Sequence, residues 1–80
     1  MKRVRLIISG DVLGVGYRAW ARRQMKALGV TGSVENREDN TVELIAKGEQ
    51  SALEKLITAC KKGPDVAWVE RVEVYYQCDG

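Results

Sequence analysis

Between Ser9 and Arg18 the chain reads SGDVLGVGYR, which sets Gly10, Gly14 and Gly16 just ahead of an arginine. Glycines let a backbone come close to a bound oxyanion, and a loop that leads into a helix adds the free N–H groups of its first turn and the helix dipole. Arg18 would stand in that turn, where a guanidinium offers a fixed fork of donors for two phosphate oxygens at once. On these residues alone two readings stay open: an anion cradle clamped by an arginine, or a tight turn between a strand and a helix. Asn36, in SVENRED, is a second candidate, because an amide both donates and accepts and so can hold a water molecule. Its plainer reading is an asparagine beside a turn.

The chemistry that is missing narrows the choice. The chain has no histidine for general-base work, no Ser/His/Asp set, no carboxylate cluster in the glycine loop and no Gly-Lys-Ser phosphate loop. An enzyme built from these residues works by positioning and electrostatics. Hydrolysis of an already activated phosphate ester or anhydride suits that restriction, since a good leaving group leaves the protein mainly to orient water and stabilise charge on the phosphoryl oxygens. Cys60 and Cys78 are too few for a disulfide framework, and without histidine or a Cys-x-x-Cys pair they give a zinc site no support.

These residues need elements to hold them. Val4, Leu6 and Ile8 alternate with Arg3, Arg5 and Ile7, the period of a strand from Arg3 to Ser9 that ends near Gly10. Tyr17, Trp20, Ala21, Met25 and Leu28 recur at spacings of three and four, which predicts an amphipathic helix closed by Gly29. Ser33 to Arg37 and Thr41 to Lys47 read as a hairpin, with Asn40 the residue suited to positive φ. Ser51 to Glu54 spells a capping box, SALE, and the stripe Leu53, Leu56, Ile57, Cys60 predicts a second helix stopped by Gly63 and Pro64, with Cys60 a small core residue. Trp68 to Tyr76 alternates as a last strand, and Trp20, Tyr75 and Tyr76 read as core and edge packing. Two short helices in the order βαββαβ are both covered only if they share one face of the sheet. That is the ferredoxin-like α/β sandwich of the α+β class, with right-handed crossovers.

With 80 residues the chain is expected to form one domain over residues 1–80, and its 45% hydrophobic and 30% charged content fits a globular protein. Thirteen basic and 11 acidic side chains leave a net charge of +2, far short of a nucleic-acid footprint. The third strand, TVELIAK, also lacks the aromatics with which ferredoxin-like RNA binders stack bases. No apolar run approaches the roughly 20 residues of a membrane span, and MKRVRLII lacks the features of a signal peptide, so the cytoplasm is the expected compartment.

Two stretches together carry a resemblance. GDVLGVGYR, Gly10 to Arg18, is similar to the pattern Gly-x-Val-Gln-Gly-Val-Gly-Phe-Arg of the acylphosphatases, and LGVTGSVENREDNTVELIAKGE resembles their second signature around a Gly-x-Val-x-Asn strand. KKGPDVAWVERVEV fits as well, so the match runs from about Val4 to Val74. The resemblance implies a ferredoxin-like sandwich that hydrolyses acyl phosphates to a carboxylate and inorganic phosphate without metal or cofactor. It implies that Arg18 binds the phosphoryl group, that Asn36 orients the attacking water, and that the backbone amides of Val12, Leu13, Gly14, Val15, Gly16, Tyr17 and Arg18 cradle the phosphate. The partners implied are a small-molecule acyl phosphate and inorganic phosphate or a similar anion, with no nucleic acid or membrane, acting on a monomer. Leu13 stands where the family pattern has glutamine, which leaves only its N–H to the cradle, Tyr17 replaces phenylalanine, and Asp11 is expected to point outward. The chain ends at Gly80 where family members commonly continue into an edge segment, which would leave an edge strand less protected. The alternative reading is a non-catalytic module of the same fold that binds an anion or a partner.

Overall fold

The computed structural model describes residues 2–14 and 16–77. Its elements are β1 (Lys2–Asp11), α1 (Tyr17–Leu28), β2 (Thr31–Asn36), β3 (Val42–Gly48), α2 (Gln50–Lys62) and β4 (Trp68–Gln77). The strands form one sheet in the order β2-β3-β1-β4, and every neighbouring pair is antiparallel. This is the ferredoxin-like α+β sandwich expected from the element order.

The alternation of β1 decides which way the sheet faces. Val4, Leu6 and Ile8 point to the helices and lie opposite Ala46, Leu44 and Val42 of β3, and all six are fully buried. Tyr17, Ala21 and Met25 of α1 and Leu53, Leu56, Ile57 and Cys60 of α2 close the other side of the same core. Val72 and Val74 of β4 pack against it from the sheet edge, whereas Tyr75 and Tyr76 remain about half exposed. On the open face Ile7 is still only 6% exposed, because Glu43 and Glu73 flank it in register from both neighbouring strands. Arg5 holds that carboxylate screen together. Its Nε meets Glu43 Oε2 at 2.7 Å, its guanidinium lies 5.7 Å from the Tyr75 ring centroid, and the Tyr75 hydroxyl donates to Glu73 Oε2 at 2.6 Å.

Several element boundaries differ from the sequence expectation. β1 continues to Asp11, β2 begins at Thr31 and ends at Asn36, and β3 runs from Val42 to Gly48. The capping box at Ser51 is not formed. The N-cap of α2 is Glu49 with no side-chain cap bond, Ser51 already lies inside the helix, and Gln50 Nε2 donates to Glu54 Oε1 at 2.9 Å. The helix starts earlier because Leu53 N–H already finds the Glu49 carbonyl at 3.0 Å. Gly29 and Asn40 do adopt the positive φ assigned to them, 71° and 66°.

Candidate active site

Topology brings the two candidate regions to one end of the sheet. Since β3 is antiparallel to both β1 and β2, those two strands run in the same direction, and their C-terminal ends lie at the same end of the sheet with β3 between them. Asn36 is the last residue of β2, and the glycine loop leaves the last residue of β1. Asn36 and Ile8 both stand opposite Val42, so the asparagine is two strand spacings, about 10 Å, from β1. It shares its face with Val34, which is 1% exposed, yet Asn36 itself is exposed beyond the end of the core. Asn36 therefore stands on the helix side of the sheet, the side to which the loop climbs.

The loop is shaped by its glycines. Gly10 has φ 131°, and a Cβ there would overlap the Trp68 carbonyl oxygen and sit 2.7 Å from the Glu70 amide nitrogen. This is the point where the β1–β4 register slips by one residue. Val12 then buries its side chain to 2% exposure and Leu13 packs against the core, which leaves their main chain to the loop. Gly14 and Gly16 take φ 74° and 80°, and nothing lies within 4 Å of where a Cβ would stand on either. The space above them is open. Val15 lies outside the described residues.

Gly16 is the N-cap of α1 and offers no side-chain cap, and the first intrahelical bond is from Trp20 N–H to Gly16 O at 3.0 Å. Among the described residues the N–H groups of Tyr17, Arg18 and Ala19 have no backbone acceptor, and the first turn holds no acidic residue. The positive end of the helix dipole is thus uncompensated, and the exposed Arg18 adds a full positive charge to it. A cation at this end of a helix is unfavourable until an anion joins it, and the arrangement suits an anion. Asp11, by contrast, is exposed and lies opposite Trp68 at the start of β4, beyond the register slip.

Two supports hold these pieces. The Tyr17 ring is 1% exposed against the Trp20 ring at 5.2 Å, and its hydroxyl donates to the Cys60 carbonyl in the last turn of α2 at 3.0 Å. Burial pushes the Tyr17 hydroxyl well above the ordinary phenol range and the Cys60 thiol up to about 11, so both are neutral at physiological pH. Beyond Asn36 the Thr41 hydroxyl and N–H both donate to Asp39 Oδ1, which holds that carboxyl below its ordinary range, and Arg37 N–H donates to Thr41 O at 2.8 Å. The turn after β2 is fixed in this way. The sequence missed a further contact, from Arg22 Nη2 to the Val34 carbonyl at 3.2 Å. Arg22 read as one of the cations between the apolar positions of α1, and nothing local to it announces a partner twelve residues away.

Comparison with known proteins gives the arrangement a family. The acylphosphatase family profile matches residues 4–79. The chain belongs to the acylphosphatase family. An acylphosphatase of Roseiflexus sp. strain RS-1 is 44% identical over 77 residues, covering 96% of this chain and 83% of the relative. One from Salinibacter ruber is 49% identical over 73 residues, 91% of this chain and 77% of the relative. The crystal structure of an acylphosphatase from Bacillus subtilis superposes with a TM-score of 0.93 at 32% identity, over 96% of this chain and 86% of that one. Membership establishes acylphosphatase activity on small acyl phosphates as the function of the fold described here. Among the described residues no helix is long and apolar enough to cross a membrane.

Proposed function

We propose that this acylphosphatase holds its substrate's phosphoryl group between the loop amides of Val12 to Arg18 and the Arg18 guanidinium, and that Asn36 orients the attacking water. The observation that carries the assignment is the first turn of α1, where N–H groups without a backbone acceptor among the described residues and a cation converge with no acid, at the sheet end that also carries Asn36. Water attacks phosphorus, the bond from phosphorus to the acyl oxygen breaks, and the carboxylate leaves with that electron pair. The water's proton passes to a phosphoryl oxygen of the substrate. No protein base is required, in keeping with a chain that has no histidine. The donors of the loop and Arg18 stabilise the charge on the phosphoryl oxygens, and the carboxylate is stable enough to depart unprotonated.

The same reading takes the protein as a cytoplasmic monomer that needs no metal or cofactor and has no nucleic-acid or membrane partner, with inorganic phosphate as product and competing ligand. The net charge of +2 supports the absence of a nucleic-acid partner. The test is hydrolysis of benzoyl phosphate in the presence of a chelator. Turnover is expected to persist at full rate and to fall by about 10² to 10³ in Arg18→Ala, the usual loss for one stabilising donor. Chelator-sensitive turnover, or full activity without Arg18, would overturn the assignment; phosphate binding with no turnover would mark a non-catalytic module instead.

A further inference from the structure

Arg18 and Asn36 come from different elements, a helix and an edge strand, and their separation must be held for the reaction to proceed. The bond from Arg22 Nη2 to the Val34 carbonyl joins those two elements directly. Arg22 is one helical turn beyond Arg18, on the same side of α1. Val34 is two residues before Asn36, on the same face of β2.

The pairing of β2 explains why that carbonyl is free to be used. Arg37 N–H bonds to Thr41 O, and antiparallel pairs alternate between bonded and non-bonded, so Glu35 and Glu43 form the next bonded pair. Val34 and Asn36 fall at the non-bonded positions and turn their main-chain groups toward the free edge of the sheet. β2 is that edge, since it has a neighbour on one side only. Arg22 thus supplies a charged donor to an edge carbonyl that water would otherwise meet, and it lines a groove with Met25, Val30 and Gly32.

We propose that Arg22 is a positioning residue, which sets the strand carrying Asn36 against the helix carrying Arg18. The proposal rests on the roles assigned to Arg18 and Asn36 above. The phosphoryl group is held by the β1–α1 loop and Arg18, all on the helix side of this tie, whereas the water is held on the strand side. Loosening the tie therefore leaves substrate binding in place and displaces the water from its line of attack. A displacement of an ångström can cost about 10²-fold in rate, and a strand still hydrogen-bonded to β3 shifts by less.

The experiment compares Arg22→Met, which keeps the stem and removes the donors, with Arg22→Lys, which keeps a donor, after thermal unfolding shows that each folds. With benzoyl phosphate, Arg22→Met is expected to lower kcat by about 10-fold with KM and inhibition by inorganic phosphate unchanged, and Arg22→Lys to fall between it and the parent. In an Asn36→Ala background, Arg22→Met should have no further effect, because the group it positions is gone. Unchanged kcat in Arg22→Met would overturn the proposal, as would the same fold-loss in both backgrounds, or KM and phosphate inhibition weakening together. Those outcomes leave the parent's mechanism standing. A parent chain with no acyl phosphatase turnover would overturn the mechanism and this proposal together.

Discussion

Arg18 occupies a helix end whose dipole repels it by an amount of order 0.3–1 kcal/mol, with no neighbouring acid to compensate. A bound anion would relieve that repulsion, so in the proposed mechanism the contribution of Arg18 is largest once the phosphoryl group is in place. In the proposed mechanism Asn36 acts on the water instead, so the two residues should separate kinetically. Asn36→Ala is expected to lower kcat by about 10²-fold while inorganic phosphate still inhibits at the parent concentration, whereas Arg18→Ala weakens phosphate inhibition as well. Steady-state kinetics with phosphate as inhibitor distinguishes them; identical phosphate affinities in both variants would contradict the division of roles. At Tyr17 the chemistry is structural. The hydroxyl satisfies one of the last four carbonyls of α2, that of the buried Cys60, which has no backbone donor among the described residues. Tyr17→Phe is therefore expected to cost about 1–3 kcal/mol. In a domain of this size each kcal/mol lowers Tm by roughly 4–8 °C, which calorimetry would register.

At the scale of elements, the glycine loop depends on how β1 meets β4. Gly10 sits where β4 carries one extra residue, and its φ of 131° together with the close Trp68 carbonyl leaves no room for a side chain. Gly10→Ala should destabilise the fold by at least about 1–3 kcal/mol, read as a lower midpoint in urea, and a midpoint equal to the parent's would show the bulge to be pliable. Much of this architecture was legible beforehand. The period of two in Val4, Leu6 and Ile8 and the spacing of Leu53, Leu56, Ile57 and Cys60 report burial directly, and burial is what makes those elements. The start of α2 was misread at Ser51 because a capping-box sequence states a local preference, and the helix begins two residues earlier by using Glu49 as its N-cap. The bulge at Gly10 was not legible at all, since the extra residue is in β4, some sixty positions away. The candidate site was legible in its residue types, and what the sequence withheld was the Arg22 tie, a long-range bond between a surface cation and a main-chain carbonyl.

For the whole molecule, the core contains two acids that folding keeps neutral. Burial raises the Cys60 thiol from 9.0 to about 11 and the Tyr17 hydroxyl further still. Above pH 9.0 the unfolded chain releases these protons while the folded chain retains them, so folding stability is fully present below pH 9.0 and declines as the pH climbs toward 11 and beyond. Thermal unfolding followed from neutral to alkaline pH should show that decline, with Cys60→Ala removing its earlier part; a Tm unchanged through pH 11 in the parent would contradict it. The placement of β3 has a consequence of another kind. Because β3 lies between β1 and β2 in the sheet but follows both in the chain, the cradle and Asn36 have been synthesised before the strand that spaces them. If the loop and Asn36 act together as proposed, a nascent or refolding chain that has completed α1 and the whole glycine loop is still inert. Turnover is then expected to return only with the long-range pairing of β3 with β1, among the slower events such a topology allows, and so to mark the closing of the sheet rather than the formation of its helices.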